Sequence, residues 1–296
     1  MQDTSIFTPQ LTADGSFTFF STEFGESFHS VQGAKEEALL KFVKPCQLVE
    51  KAQKPLVRLL DVCYGLGYNT ASALEAIWTN NPSCRVELVA LELDPTVPRA
   101  AIAHNLLNNT AQPIPELLQL ATSFHVQTDR LHAQLLLGDA RTTIGQLHQS
   151  NFQADAIFLD PFSPPRCPQL WTVEFLQLLA KCCAIDGRLA TYSCAASVRS
   201  ALIAAGLKIG STLQVGGRQP GTVASFSTTD LPPLSKRSQE HLQTRAAIPY
   251  RDPNLCDPAH DISHRRKMEQ QASSLEPTSR WHRRWLKDAS EARGDY

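Results

Sequence analysis

No stretch of this chain stays apolar for the ~20 residues that a bilayer-spanning helix needs. Its first residues, MQDTSIFTPQLTADG, carry neither the basic start nor the apolar run of a secretory leader. A membrane span is therefore not expected, and a cytoplasmic location is. Cys-x-x-Cys pairs are also missing: the eight cysteines stand at 46, 63, 84, 167, 182, 183, 194 and 256, mostly inside apolar segments. That scatter offers no zinc knuckle and no disulfide framework, so reduced core thiols and no metal are expected, with Cys182 and Cys183 inside a helix. Excess charge is absent too, with 28 Lys and Arg against 29 Asp and Glu for a formal −1. A partner recognised through bulk charge alone is not implied. The imbalance is local: residues 231–296 hold 12 Lys and Arg against 9 Asp and Glu, leaving 16 against 20 elsewhere. On charge alone that describes an ordinary solvated tail.

What is present suits one sizeable α/β unit. With 296 residues, 42% hydrophobic and 19% charged, the chain can bury a large core and carry a modest extension. Residues 1–45 read as a small β-rich N-terminal extension. LTADGSFTFFSTEFGESFHS (11–30) mixes aromatics with Ser and Thr around Asp14-Gly15 and Phe24-Gly25, and GAKEEALLKFV (33–43) follows as a short helix ended by Pro45. Residues 46–230 alternate apolar strands at 56–62, 85–91, 133–137, 154–160 and 187–193 with helical stretches. The latter lie near 69–79, 95–108, 114–124, 140–149, 168–184 and 195–205. Continuous apolar runs suit parallel strands covered on both faces, so a doubly wound, Rossmann-like sheet is predicted. Two more extended pieces, 207–215 and 221–227, joined through Gly216-Gly217-Arg218, add an edge hairpin. Residues 231–296 form a polar, basic C-terminal extension, with a basic helix over 264–287 interrupted near Pro277.

Four constellations fall at carboxyl ends of predicted strands, where open α/β sheets bind ligands. The first is Asp61-Val62-Cys63-Tyr64-Gly65-Leu66-Gly67-Tyr68-Asn69, an acid and a G-x-G between strand and helix. Glycines there let backbone approach a ligand, although Thr70 stands where the dinucleotide fingerprint has its third glycine. The second is Glu92 in LELDP (91–95), an acid able to accept both hydroxyls of a bound ribose; Asp94 and Pro95 read equally well as the start of a helix. The third is Gly138-Asp139-Ala140-Arg141, where Asp139 either meets an adenine or caps the next helix. The fourth, Asp160-Pro161-Phe162-Ser163-Pro164-Pro165, carries the most information. Its prolines cannot continue the sheet, so a rigid loop lifts Asp160 to the ligand-binding edge. D-P-F is similar to the D/N-P-P-Y/F motif of methyltransferases that act on amino nitrogens. An amine attacking a methyl sulfonium needs its lone pair in line with the S–CH3 bond, and an acid accepting its N–H bonds supplies that alignment. A neighbouring aromatic stacks on the base and favours the cationic centre. An unshifted carboxylate is a poor base for an alkylammonium, so positioning ranks above proton abstraction for Asp160.

Together these stretches resemble the methyltransferase half of the bifunctional bacterial tRNA-modifying enzyme MnmC, and more so its stand-alone relatives. The resemblance is carried by TADGS (12–16), FHS (28–30) with Gly33-Ala34 and Glu36-Glu37, DVCYGLGYN (61–69), LELDP (91–95) and GDAR (138–141). It continues through LDPFSPPRCPQLWT (159–172), TYSCAASVR (191–199) and GTVAS (221–225), covering about residues 11–230 and extending into IPYRDP (248–253). It departs from the general motif at Cys63, which stands for the first glycine. The resemblance implies S-adenosyl-L-methionine as cofactor, held by Asp61, Tyr64, Gly65, Gly67, Asn69, Glu92, Asp139 and Ala140. It implies catalytic roles for Asp160 and Phe162, and substrate contacts for His29, Trp171 and Tyr192, Trp171 being as readily a packing residue. It further implies N-methylation of 5-aminomethyl-uridine, often 2-thiolated, at the wobble position of a tRNA anticodon. No FAD is expected, because 296 residues leave no room for the oxidase half. In that light the basic tail, with Arg265-Arg266-Lys267 and Arg280-Trp281-His282-Arg283-Arg284-Trp285, becomes a candidate tRNA contact.

Two other readings stay open. An aminopropyltransferase of the spermidine-synthase type also runs amine attack on a sulfonium, but needs several acids around a polyamine, and the proline loop after Asp160 offers few. A non-catalytic RNA-binding protein with a relic cofactor fold is the other. An NAD-dependent oxidoreductase is disfavoured by Thr70.

Overall fold

The computed structural model describes residues 7–109, 115–213 and 219–294; the Gly216-Gly217-Arg218 link lies outside the described residues. The aromatic-rich start makes two small antiparallel ribbons, β1 (Gln10–Leu11) with β2 (Phe17–Thr18) and β3 (Phe20–Ser21) with β4 (Glu26–Ser27). Gly15 and Gly25, at φ 78° and 66°, turn the chain between them. Helix α1 (Ala34–Ala38) then passes into a π-helical turn over Leu39–Val43, and a short α2 (Leu48–Lys51) follows.

The main sheet uses every strand expected from the apolar runs. In chain order it comprises β5 (Leu56–Val62), α3 (Tyr68–Asn80), β6 (Arg85–Glu92), α4 (Thr96–Ala103), α5 (Pro115–Ser123), β7 (His125–Gln127), β8 (Leu131–Leu137) and α6 (Ala140–Gln149). It continues with β9 (Ala154–Leu159), α7 (Val173–Lys181), β10 (Cys183–Thr191), α8 (Ala196–Ala204), β11 (Lys208–Ser211) and β12 (Thr222–Ser225). The spatial order is β11-β12-β10-β9-β5-β6-β8-β7. The five inner strands run parallel, while β7, β12 and β11 add antiparallel edges. Alternation along each strand explains the two-sided burial. Val57 and Leu59 of β5, Val86 and Leu88 of β6 and Phe158 of β9 join one core; Leu60, Val62, Val89, Leu91, Ile157 and Leu159 join the other. Each fully buried side chain of this kind is worth roughly 1.5–3 kcal/mol.

The N-terminal extension is part of that architecture, since Phe19, Ala34, Ala38 and Phe42 are fully buried in the first core. The C-terminal extension adds α9 (Lys236–His241), α10 (Ala259–Ala272) and α11 (Thr278–Gly294), and seats Tyr250 and Ile262 in the second. Its long helices span more than the expected 264–287, and the break falls at 273–277 as Pro277 suggested. The adjacent cysteines correct the sequence reading: Cys182 caps α7 and Cys183 opens β10 opposite Ala154. The strand then bulges before Arg188, and Gly187 sits where a Cβ would come within 2.6 Å of the Ala154 carbonyl oxygen. The short β7, with only three residues, was invisible to periodicity.

Candidate active site

From β5 the chain moves outward to β6 and β8, then returns to β9 and β10 on the other side. That reversal opens a crevice between the carboxyl ends of β5 and β9, the expected ligand position in such sheets. The four sequence constellations converge there because backbone hydrogen bonds stitch their loops together. The Cys63 and Tyr64 amides both donate to the Leu91 carbonyl at 3.0 Å, Gly138 N–H to Glu92 O at 2.9 Å, and Asp160 N–H to Val62 O at 3.1 Å. A cavity of about 880 Å³ lies over them. Among the sequence-selected residues, Gly65, Glu92, Asp139, Ala140, Asp160, Phe162, His29 and Tyr192 line it. Asp61, Tyr64, Gly67, Asn69 and Trp171 stand behind its wall.

The glycine loop is left-handed at three places: Cys63 (φ 68°), Gly65 (φ 55°) and Gly67 (φ 85°). At Cys63 a side chain bears a conformation that costs about 1–2 kcal/mol outside glycine. Gly67 is required by packing: a Cβ there would lie 2.7 Å from the Tyr64 hydroxyl oxygen. Tyr64 itself is 3% exposed, and its hydroxyl has no hydrogen-bond partner among the described residues. Behind the loop Asp61 is fully buried, one oxygen accepting the Thr70 hydroxyl at 2.6 Å and Oδ1 without a partner among the described residues. Burial pushes its carboxyl up to about 7; the Thr70 bond opposes this and the charge of Glu92 adds to it.

Glu92, at the tip of β6, is fixed from both sides. Its Oε2 accepts the Gly65 amide at 2.7 Å and its Oε1 the Asp94 amide at 2.9 Å. Burial raises its carboxyl above the usual range, and these amides hold it back. Asp139 does cap α6, accepting Arg141 N–H at 2.9 Å, and still lines the cavity. The Arg141 guanidinium grips both Asp139 oxygens, at 2.7 Å for the shortest contact, and outweighs burial to hold the carboxyl below its ordinary value. The other end of that guanidinium reaches the C-terminal extension, 2.9 Å from the fully buried Asp252 and 2.9 Å from Asp257 O. A strap, 250–257, is thereby tied to the Asp139 side of the cavity. Its Tyr250 carbonyl also accepts Val173 N–H at 3.1 Å, where the proline loop enters α7.

Asp160 is partly accessible from the cavity, and Asn69 Nδ2 donates to its Oδ2 at 2.8 Å. Burial, then the charges of Glu37 and Asp61, push its carboxyl well above the ordinary value, against the Asn69 bond. Phe162 stacks on Phe24 with centroids 4.3 Å apart and 16° between planes, and meets Phe28 edge-on at 5.1 Å. The loop is braced from behind. The Trp171 indole N–H donates to Phe162 O at 2.9 Å, and the Tyr192 hydroxyl to Pro161 O at 2.9 Å. Trp171 is fully buried and reaches the site through this bond and through its edge-on contact with Tyr192 at 6.0 Å. His29 packs edge-on against Tyr68, and burial lowers its imidazole to about 4, so its ring is neutral near pH 7.

The residues that sequence reasoning missed come from the N-terminal extension. Phe24 and Phe28 complete the aromatic wall, Glu26 accepts the amide and hydroxyl of Ser163, and Glu37 lines the cavity beside Asp160. The Glu26–Ser163 contacts span 137 positions. No local pattern signals them; only the fold brings them together. Among the described residues, seven carboxylates line the cavity against one guanidinium, that of Arg141.

S-adenosyl-L-methionine fits this donor set. The cavity joins a backbone-lined glycine turn and a fixed carboxylate at the β6 tip to carboxylate-rich walls suited to a sulfonium. Comparison with known proteins agrees. A family described as S-adenosyl-L-methionine-dependent methyltransferase matches residues 101–227. The crystal structure of MnmC2 from Aquifex aeolicus superposes with a TM-score of 0.79 at 33% identity, covering 90% of this chain and 86% of that one. The bifunctional protein MnmC of Methylibium petroleiphilum, whose name assigns it to tRNA 5-methylaminomethyl-2-thiouridine biosynthesis, is 34% identical over 220 residues. That match takes in 69% of this chain and 32% of the relative, so the chain spans about a third of the length of such bifunctional proteins. An uncharacterized protein of Methanocaldococcus jannaschii is 30% identical over 253 residues, 82% of this chain and 67% of its own length.

Proposed function

The chain belongs to the S-adenosyl-L-methionine-dependent methyltransferases of the MnmC2 kind, and from that premise we propose that it methylates the primary amine of 5-aminomethyl-uridine, with or without 2-thiolation, at the wobble position of tRNA. The observation that carries this reading is Asp160. It is an acid at the tip of β9, oriented by Asn69, in the same cavity as the cofactor loops and flanked by stacked Phe162 and Phe24. S-adenosyl-L-methionine, when bound, supplies an electrophilic methyl group on a sulfonium. Glu92 would hold its ribose hydroxyls, the backbone at Gly65 its amino-acid end, and Asp139 with Ala140 its adenine side. Asp160 accepts the N–H bonds of the amine and so aims the lone pair, while Phe162 stacks on the base and favours the developing cation. Glu26 and Trp171 keep Phe162 in place through Ser163 and the Phe162 carbonyl.

The cationic tail supports tRNA as partner less broadly than its sequence suggests. Arg265 bonds Asp257 and Arg251 O, Arg266 reaches Ile248 O and Ala246 O across the Tyr250 ring, and Arg284 pairs with Glu240 and Glu276. Trp281, 3% exposed, stacks on His241 at 4.7 Å. Lys267, Arg280 and Arg283 are exposed, and remain the candidates for phosphate contact.

One observation favours a second reading. The acids that a polyamine would need are supplied by the N-terminal extension, as Glu23, Glu26 and Glu37, although the proline loop lacks them. One assay separates the two. Labelled S-adenosyl-L-methionine is offered with tRNA carrying 5-aminomethyl-uridine, with unmodified tRNA and with putrescine, and the decarboxylated cofactor is run in parallel. Label recovered as 5-methylaminomethyl-uridine in the first tRNA alone is expected. Transfer to putrescine from the decarboxylated cofactor would replace this reading with aminopropyl transfer.

A further inference from the structure

We propose that Asp252 of the C-terminal extension is a positioning residue for the cofactor: through Arg141 it holds the Asp139 carboxylate in the orientation that meets the adenine of S-adenosyl-L-methionine. The proposal rests on the adenine role given to Asp139 above and extends it to the strap 250–257. It also gives a task to IPYRDP (248–253), which stands outside the four loop constellations.

Arg141 is the second residue of α6, where a cation gains nothing from the helix, since the backbone dipole is positive at that end. Carboxylates set its place instead. On one edge of the guanidinium, Nε stands 3.2 and 3.1 Å from the two Asp139 oxygens and Nη2 2.7 Å from Oδ2. On the other, Nη1 donates to Asp252 Oδ2 and to Asp257 O, both at 2.9 Å. A guanidinium is planar, with its donors in a fixed fork, so whatever fixes Nη1 also fixes the edge that grips Asp139. The Arg141 side chain is 11% exposed and that of Asp252 0%. Separating the two would strand a buried charge.

Asp252 is itself held by the strap. Its Oδ1 accepts the Cys256 and Asp257 amides at 3.2 Å each, and its own amide donates to Glu174 Oε2 at 2.8 Å. Glu174, in the first turn of α7, takes Arg251 Nε on its other oxygen at 2.7 Å. A braced path thus runs from α7 through Asp252 and Arg141 to Asp139. At its end a choice of ligand is made. A carboxylate offers about four acceptor positions. Three N–H groups of Arg141 (the amide, Nε and Nη2) meet Asp139, which leaves one position on a side chain 43% exposed in the cavity wall. An adenine amino group donates to such an acceptor. The carbonyl oxygen that replaces it in hypoxanthine does not.

The test compares S-adenosyl-L-homocysteine with S-inosyl-L-homocysteine, which differ at that amino group, by titration of the full chain. The wild type is expected to prefer the adenosyl compound by at least about tenfold. In Asp252→Asn an NH2 replaces one acceptor oxygen and faces either the Arg141 donor or the strap amides, so the clamp opens. The preference should then shrink to about threefold or less. A loss of stability alone weakens both ligands together and leaves their ratio unchanged, so the ratio separates positioning from folding. If Asp252→Asn does not fold, Arg141→Lys, which keeps the charge and loses the fork, decides by the same ratio. Asp139→Asn marks the limit: it should remove the preference, and adding Asp252→Asn to it should change the ratio no further. A wild-type ratio in Asp252→Asn or Arg141→Lys, with the preference lost in Asp139→Asn, overturns the proposal and spares the role of Asp139. A preference that survives Asp139→Asn overturns that role and the proposal with it. Wild-type protein that binds neither compound contradicts the cofactor reading itself.

Discussion

Replacing Gly67 by alanine puts a methyl carbon 2.7 Å from the Tyr64 hydroxyl oxygen and 3.0 Å from its Cζ, on a backbone held at φ 85°. The left-handed conformation alone costs a non-glycine residue about 1–2 kcal/mol, and forcing a methyl into a packed site costs about 1–3 kcal/mol more. Gly67→Ala is therefore expected to lose about 2–5 kcal/mol of stability, with Tm falling by about 2–4 °C for each kcal/mol in a chain of this size. Tyr64→Phe removes the nearest obstructing atom. Because that hydroxyl is buried with no partner among the described residues, its removal leaves the protein at least as stable as the wild type. The double variant should then recover about 1–2 kcal/mol of the Gly67→Ala loss, the backbone cost remaining. Thermal unfolding of all four proteins measures the coupling, and a titration with S-adenosyl-L-methionine accompanies it. Since Tyr64 stands behind the wall of the cavity, Tyr64→Phe keeps the cofactor affinity of the wild type. Strictly additive losses, or a cofactor affinity that drops tenfold in Tyr64→Phe, would refute this account of the loop.

Three more expectations come from the charged groups. Asp61, pushed up from 3.8 to about 7, favours the folded state while protonated; that contribution is complete below pH 4 and is lost as pH rises through 7. Asp61→Asn keeps an acceptor for Thr70, so its Tm should vary less between pH 5 and 8 than the wild type does, and an unchanged pH dependence would contradict the assignment. Arg141→Met strands Asp252, which is fully buried, and is expected to cost about 3–5 kcal/mol. Adding Asp252→Asn should return part of that stability in denaturant unfolding, and no recovery would show that the clamp does not act as a unit. Charge reversal at Arg280 and Arg283 should weaken tRNA binding and flatten its salt dependence by about one unit of slope per lost phosphate contact, while reversal at Arg284 mainly lowers Tm. Equal effects on binding from all three would remove the distinction between Arg280 and Arg283 and the carboxylate-paired Arg284.

The parallel core was legible because β5, β6 and β9 are largely apolar runs with Asp or Glu at their carboxyl ends, a pattern set by burial on both faces, while β8 buries alternate residues on one face. The tips of these strands put Glu92, Asp139 and Asp160 at one edge on sequence alone. Tyr64 and Asn69 were selected by their place in the loop sequence, yet their direction depends on which side of a left-handed turn each side chain leaves, and both point into the protein. The substrate side was harder to read. Phe24, Phe28, Glu26 and Glu37 come from residues 24–37, far in sequence from residues 160–163, and the hairpin pattern says nothing of which face meets the crevice. The tail misled in a different way. Its arginines look free in a string of letters, but several serve as internal donors to carbonyl groups that loops leave uncapped.

The central claim, that Asp160 orients an amine for methyl transfer in the cavity it shares with the glycine loop, is tested most directly by Asp160→Asn. Single-turnover methylation of aminomethyl-uridine tRNA is measured beside a titration with S-adenosyl-L-methionine. A rate at least about 100-fold lower, with cofactor affinity within a few-fold of the wild type, is the predicted result. A near-normal single-turnover rate would remove Asp160 from the chemistry and contradict the account.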